Sequence, residues 1–337
     1  MTRYLITLTP VGMFFFGGEE TFGDGTNDNY FARSNSFPQQ TTLLGMLRKE
    51  VLVREKVFKE KINDYTPDDK KRMAALIGDR SFQLEGGDQD FGKIKGVSPV
   101  FLRKGENFYI TAPMDHGLTL SYAAGRSKAA GTALDSIPFF QSYGAKKGLP
   151  DAFAPSGGKP NVPADTIFKP IVKIGIDKYR FEDDDGKFFK HQFLTMAKGY
   201  AFACFAELET PLTDCIVYMG ADSSAFAMTV ESAGNRSFDA LFAGAPRKDK
   251  LTLLSDAYVA RSVYDTCAFA VTGTRPFRNI RTSSGAYGFK KGKSKSGRYT
   301  FLGRGSVFYF NREEDRAAAA RHLEKANLRK IGYNYYT

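Results

Sequence analysis

The sequence predicts an α+β fold arranged as two domains, and three observations carry that expectation. At 337 residues the chain exceeds the usual size of one domain. Short strand-like runs recur along its whole length without the strict strand–helix alternation of a parallel sheet. The few helices announce themselves by end signals rather than by length.

Taken in order, Tyr4, Ile6 and Leu8 alternate on one face and predict a first strand. Residues 11–37 then read as a long polar loop containing Gly17, Gly18, Gly23 and Gly25, a length that compact domains keep for a task or for disorder. Pro38 closes the loop, and Thr41 is expected as N-cap of a helix carrying Leu43, Leu44, Leu47, Val51 and Leu52 at helical spacing. In that helix Gly45 is expected to allow close packing on a sheet, and Arg48 to project from the following turn. A second helix is expected after Thr66, with Pro67 in its first position, Asp68 and Asp69 at its positive end, and Gly78 as its stop. Residues 93–102 and 107–112 read as strands about a turn at Gly105.

The stretch 113–170 is rich in Gly, Pro, Ser and Ala, which sets the domain transition near its end and the domains at 1–170 and 171–337. Strands are expected at 171–176, 187–195, 200–208, 216–219, 268–271 and 299–310, with a turn over Asp183, Asp184, Asp185 and Gly186. A last helix is expected over 312–328, capped by Asn311, with Glu313, Glu314 and Asp315 in its first turn and Arg329 and Lys330 beyond its end.

Composition excludes several classes of function. No apolar run approaches the ~18 residues of a membrane span. The N-terminal run is interrupted by Thr7, Thr9 and Pro10 and is followed by no small-residue cleavage site, so a strand is expected there rather than a signal peptide, and a cytoplasmic location with it. Three widely spaced cysteines, Cys204, Cys215 and Cys267, fit neither a disulfide framework nor a zinc site. The acidic run 183–185 precedes a glycine and reads as a turn, so no metal is assigned.

The net charge of +11 is unevenly placed. Between Thr266 and Asn311 there is no acid, whereas Arg275, Arg278, Arg281, Lys290, Lys291, Lys293, Lys295, Arg298 and Arg304 all fall there. Phe277, Tyr287, Phe289 and Tyr299 interleave with them. Cations neutralise phosphates and aromatic faces stack on unpaired bases, so the segment reads as an RNA contact, with a solvated loop as the plainer alternative. Gly17, Gly18, Arg33, Ser34, Asn35 and Ser36 form a second candidate surface, where backbone N–H groups and hydroxyls before a helix suit phosphate oxygens; a loop held by its own turns is the alternative there.

The run Phe37, Pro38, Thr41, Gly45, Arg48 resembles the F-P-x-x-T-x-x-G-x-x-R helix of the RAMP superfamily of type III CRISPR effector complexes, most closely the third subunit of the Cmr complex and the equivalent fourth subunit of the Csm complex. The resemblance extends to Pro10, Phe14, Phe15, Phe16, Gly17 and Gly18, to 200–208, to Tyr218, Met219 and Gly220, and to 302–307. The chain departs from many RAMP proteins at its end, where Arg329, Lys330, Ile331, Gly332, Tyr333 and Asn334 stand in place of a glycine-rich loop. The resemblance implies two ferredoxin-like, RRM-type RAMP domains with long loop insertions. It also implies a non-catalytic subunit without cofactor that binds the 5′ tag of the crRNA at the foot of the complex. Its implied partners are the large polymerase-type subunit, a neighbouring RAMP backbone subunit and, indirectly, target RNA.

A guide-processing endoribonuclease of the same superfamily is the alternative, which makes the histidines worth weighing. Asp115 and His116 are the one acid–histidine neighbour pair; His191 lies on an expected strand and His322 on the last helix. No recognised catalytic motif accompanies any of them.

Each single-strand phosphate neutralised adds ~0.7 to the log–log salt dependence of binding. Replacing Lys290, Lys291, Lys293 and Lys295 together by neutral residues is therefore expected to flatten that slope by up to ~2.8 in salt-titrated RNA binding. An unchanged slope in a variant with a normal circular dichroism spectrum assigns the segment to solvent or to a protein contact.

Overall fold

A computed structural model describes residues 1–17, 31–61, 64–85, 87–124, 136–141, 143, 144, 146, 151–176, 188–220, 224–244, 247–278, 280, 281, 294, 295 and 297–337. The most apolar run of the second half becomes its central strand, β12 (Tyr200–Leu208), buried at all but one position. Such a strand needs neighbours on both edges and cover on both faces, and it has them. On one edge lies β1 (Thr2–Pro10), antiparallel, with Ile6 opposite Cys204. On the other lie β4 (Phe101–Lys104) beside its first half and β3 (Ile94–Val97) beside its last. The sheet continues from β1 through β14 (Ala225–Ser232) to β13 (Cys215–Tyr218), and from β4 through β5 (Asn107–Thr111) and β8 (Ala152–Pro155) to β9 (Val162–Pro163).

Successive side chains of a strand point to opposite faces, and this sorts two cores. Ile6, Leu8, Phe202, Cys204, Ala206 and Leu208 meet Leu43, Leu47 and Val51 of α1 (Gln40–Arg54) and Met73 and Ile77 of α2 (Pro67–Ile77). Leu5, Ala203 and Phe205 face the other way, where Phe101, Phe108 and Phe238 pack beneath α4 (Phe238–Phe242).

Smaller sheets flank this frame. β10 (Phe168–Ile176), β11 (Phe188–Met196) and β2 (Phe31–Arg33) form one, with β2 parallel to β11. β15 (Lys250–Thr252), β21 (Val307–Tyr309) and β16 (Phe269–Val271) form another. It packs through Leu251 and Phe308 on Ala319 and Leu323 of α5 (Glu313–Leu323). Three ribbons pair β17 (Thr274–Phe277) with β20 (Tyr299–Leu302), β18 (Ile280–Arg281) with β19 (Ser294–Lys295), and β6 (Thr119–Ala124) with β7 (Ser136–Gln141). The short α3 (Ala164–Ile167) and α6 (Ala326–Arg329) complete an α+β protein whose sheets are mostly antiparallel. Among the described residues no helix is long and apolar enough to cross a membrane.

Local signals worked where they were self-contained. Thr66 and Asp69 form a reciprocal capping box, and Gly78 leaves α2 at φ +83°. Elsewhere tertiary contacts moved the boundaries. α1 begins at Gln40, directly after extended Gln39, so Thr41 lies inside the first turn instead of capping it. The expected strand 299–310 is interrupted between β20 and β21, where Gly305 sits at φ +84° and Arg304 turns to Asp256. The expected helix 312–328 breaks at Glu324, because the Leu323 carbonyl accepts a bond from the buried amide of Asn334 (3.0 Å). Arg312, not Asn311, stands at its cap position, without a side-chain hydrogen bond. The sequence reading missed β14, although Phe226, Met228 and Val230 alternate along it. The expected turn at 183–186 lies outside the described residues.

Strand pairing runs across residue 170, since both neighbours of β1 come from 200–232. A fragment of residues 1–170 leaves β1 with two open edges and α1 over a sheet without its centre. It is expected to show no cooperative thermal transition by circular dichroism, whereas the full chain shows one. A cooperative transition in the fragment would establish 1–170 as a self-sufficient unit.

Candidate nucleic-acid interface

The segment leading into α1 is held by its own polar groups. Ser34 Oγ accepts from the Phe16 N–H (2.9 Å) and donates to the Asn35 carbonyl (3.0 Å), while the Asn35 N–H donates to the Phe16 carbonyl (2.8 Å). The Asn35 side chain donates to the Gly17 carbonyl at 3.4 Å. Gly17 and Ser34 therefore close the base of the loop. Arg33 is exposed, its guanidinium 4.8 Å from the centre of the Phe31 ring. Gly18 lies outside the described residues. Phe37 then packs edge-on against Phe168 and Phe202, which sets the direction in which α1 starts.

Residues far along the chain arrive at the same place. Arg275 in β17 reaches Asn35, Nη1 donating to Oδ1 at 3.2 Å. A small cleft at the start of α1, of ≈ 40 Å³, is lined by Asn35, Gln39, Asp256, Arg275, Phe277 and Tyr333 among others. Gln39 is also a wall of a groove of ≈ 310 Å³, across which Arg278 faces Thr41, Thr42, Gly45 and Arg48. Arg275 is also a wall of a third groove, of ≈ 230 Å³, lined by Ser36, Thr111, Met114 and Asp151. Asn35, Ser36, Arg48, Arg275 and Arg278, expected on two separate surfaces, thus line one run of adjoining grooves.

Gly45 does not pack against the sheet as expected. It is exposed, and a Cβ placed on it meets nothing within 4 Å. Its effect is to keep the groove wall low between Arg48 and Arg278. Arg48 donates from Nη2 to the Arg80 carbonyl (3.0 Å) and its guanidinium lies 5.2 Å from the centre of the Phe91 ring, which fixes the head at the border of the groove. Gln39, Thr42 and Tyr333 belong to the walls and escaped the sequence reading. For Tyr333 the available signal was the unusual Gly332-Tyr333-Asn334 ending.

The family model described as CRISPR-associated protein (Cas_Cmr3) matches residues 6–135 and 135–337. The chain belongs to the Cas_Cmr3 family. It is a type III CRISPR effector subunit of RAMP-like type. Two solved structures share its fold at 13% identity over 99% of this chain and 96% of theirs. They are the type III-B Cmr-beta complex bound to cognate target RNA and AMPPnP, with a TM-score of 0.54, and the same complex bound to cognate target RNA, with a TM-score of 0.52. Among curated proteins, none matches the sequence.

In this Cas_Cmr3 chain Arg304, expected among the basic contacts, is a largely buried wall of the cleft and of the third groove. It is 6% exposed. Its guanidinium pairs with Asp256 (3.4 Å), donates to the Val100 carbonyl (3.1 Å) and lies 4.3 Å from the centre of the Phe37 ring. Arg304 therefore positions the segment before α1. Arg298 is exposed just before β20, and the Arg281 backbone pairs with Ser294. The Arg281 side chain, Tyr287, Phe289, Lys290, Lys291 and Lys293 lie outside the described residues.

The acid–histidine neighbours do not engage one another. The Asp115 carboxylate accepts from Lys250 Nζ (2.7 Å) and from the Tyr309 hydroxyl, while His116 Nδ1 meets the Pro113 carbonyl (3.0 Å). His191 stacks on Phe15, and His322 is half-buried on α5. No cluster of three metal-ligating side chains occurs among the described residues.

Burial pushes the Asp256 carboxyl up, but the charges of Arg304 and Arg275 and the Arg304 N–H outweigh it and hold the group below its usual range. Its stabilising effect is therefore complete above the ordinary aspartate pKa of ~3.9 and is lost as the pH falls through the depressed value. Arg304→Ala leaves the carboxylate uncompensated. The expected cost is roughly 3 kcal/mol by denaturant titration near neutral pH, the low end for such pairs because Asp256 keeps some contact with water. It shrinks as the pH falls and the carboxyl, pushed up by burial once Arg304 is gone, takes up a proton.

Proposed function

We propose that this chain grips the 5′ tag of a crRNA at the foot of a type III effector and cleaves no RNA itself. One observation carries the reading: Arg275 and Arg278 of the basic stretch face Arg48 and the loop residue Asn35 around the N-terminal half of α1. Cations there meet phosphates, while Asn35, Gln39, Thr41 and Thr42 offer the side-chain donors and acceptors that read sugar and base edges of a single strand. The acid-free segment continues directly from Arg278, so Arg281, Tyr287, Phe289, Lys290, Lys291, Lys293 and Arg298 extend the same surface in this reading. Arg304 and Ser34 support it from behind.

The partners follow from the same reading. The chain docks on the large polymerase-type subunit and on the neighbouring RAMP backbone subunit, and meets target RNA only through the guide. The solved assemblies whose subunit shares this fold carry cognate target RNA, which supports that setting. The reading includes two ferredoxin-like RAMP units about the 1–170 and 171–337 division, the first completed by strands from the second, in a cytoplasmic complex without membrane or cofactor. Its non-catalytic character is supported by the contacts of Asp115 and His116, which lead away from each other.

Sequencing the RNA that co-purifies with the native complex is expected to return guides of uniform 5′ end. Arg275→Ala together with Arg278→Ala is expected to lower the salt slope of tagged-RNA binding by about 1.4, two phosphates' worth. Labelled repeat RNA is expected to stay intact in the presence of the purified chain. Absence of co-purifying RNA would overturn the tag reading, and cleavage abolished by His116→Ala would replace it with guide processing.

A further inference from the structure

We propose that the first turn of α1 and the hydroxyl of Tyr333 together form a seat for one phosphate of the bound RNA strand, with Arg275 as its outer wall. The inference rests on the RNA-binding reading above and names a contact within it.

The first observation is an unclosed helix end. α1 runs for 15 residues, yet Gln39 at its cap position makes no side-chain cap hydrogen bond. The first N–H groups of any helix lack an intrahelical partner and carry partial positive charge, so Gln40 and Thr41 form an anion-attracting end directly after Gln39, which lines the cleft.

The second observation is independent. Tyr333 is 2% exposed, and its hydroxyl makes no hydrogen bond of regular geometry. Burial raises its pKa, and the N–H groups of Gln40 and Thr41 with the Thr41 hydroxyl oppose that rise, which places the phenol oxygen at the start of α1. A buried hydroxyl without an acceptor is disfavoured, and in native proteins such a group signals a missing ligand or water. The N–H groups of Gln40 and Thr41 beside it are donors, and a phosphate oxygen is an acceptor that they and the phenol can share. The ≈ 40 Å³ of space holds about three waters at ~10–15 Å³ of cavity each, room for a phosphate's oxygens and too little for a base.

The ring has no freedom to swing away. It packs on Phe301 (5.1 Å between centres), Phe277 (6.0 Å) and Phe82 (6.3 Å). Gly332 before it sits at φ +91° where a Cβ would stand 2.0 Å from Gln40 Nε2, and Asn334 after it is wholly buried. The unpartnered hydroxyl is thus built into the fold. Of the charged groups near the seat, Asp256 is neutralised in direct contact by Arg304, while Arg275 makes its direct contact to the neutral amide of Asn35. The balance at the cleft is positive.

The test is Tyr333→Phe, which removes one oxygen and keeps the ring. In the full chain, binding to single-stranded tagged RNA is expected to weaken about five- to tenfold. The salt slope is expected to stay unchanged, because no charge is lost. RNA-free Tm is expected to rise slightly, because a buried group without a partner is gone. A scan replacing each RNA phosphate in turn by an uncharged methylphosphonate is expected to find one linkage whose neutralisation weakens wild-type binding and has far less effect in Tyr333→Phe. Inorganic phosphate and a mononucleotide serve as separate probes, and protection of Tm by either alone would overturn the assignment to a strand. Wild-type affinity in Tyr333→Phe, or a fall in its RNA-free Tm, would overturn the seat while leaving RNA binding standing. Failure of the wild-type chain to bind RNA would instead overturn the reading on which it rests.

Discussion

The grooves exist because the side-chain amide of Gln40 is buried and fully used. Gln40 is 1% exposed; its Nε2 donates to the carbonyls of Ser98 (2.9 Å) and Ile331 (2.6 Å), and its Oε1 accepts from the Val100 N–H (3.1 Å). Ser98 Oγ accepts in turn from the Phe205 N–H at 2.9 Å. One amide therefore pins the start of α1, the link between β3 and β4, and the C-terminal tail, while Ser98 ties that link to β12. Each buried group left unsatisfied costs about 1–3 kcal/mol, so slipping any of these segments breaks several bonds together. The tail is thereby threaded under the first turn of α1, and that is how Tyr333, four positions before Thr337, comes to line the cleft.

A second polar knot fixes the opposite wall. Asp256 accepts from the Arg304 N–H at 2.9 Å and pairs with its guanidinium, while the Asp256 carbonyl accepts from the Asn334 N–H at 3.1 Å. The Asn334 side chain is paired to Tyr258 in both directions and donates to the Leu323 carbonyl. The departure of 303–305 from sheet geometry, the early end of α5 and the left-handed backbone of Asn334 at φ +60° are one event seen at three places. A buried ion pair is a poor source of net stability, but removing either partner is costly, so such a pair enforces one arrangement of the segments that carry it.

This separates what the sequence made legible from what it hid. α2 and β12 were readable because their signals are local: a capping box with proline, and nine residues of nearly unbroken apolar character. Thr41 misled because capping propensity is a local preference, and Gln40 sets the start of α1 through contacts more than fifty residues away. The broken helix at Glu324 was hidden for the same reason, since Asn334 acts on it from outside. Gly45 shows that residue type without a known face is ambiguous: a glycine suited to close packing here lowers a groove wall. The candidate site was legible as two lists of residues, Asn35 to Arg48 and Arg275 onward, but not as one surface, because the register of β17 against β20 and the reach of Arg275 to Asn35 are tertiary facts.

Charge bookkeeping changes accordingly. Nine cations lie in the acid-free stretch, but Arg304 is already matched by Asp256 inside the fold, so the surface charge of the stretch is smaller than its sequence count. Salt dependence counts charges that face the ligand, whereas net charge counts all of them. The buried arginine contributes by shape instead: it lies over Phe37, Phe37 orients the start of α1, and α1 presents its first turn and Arg48 to the groove. A cation held inside the fold thus determines how the groove around α1 is set.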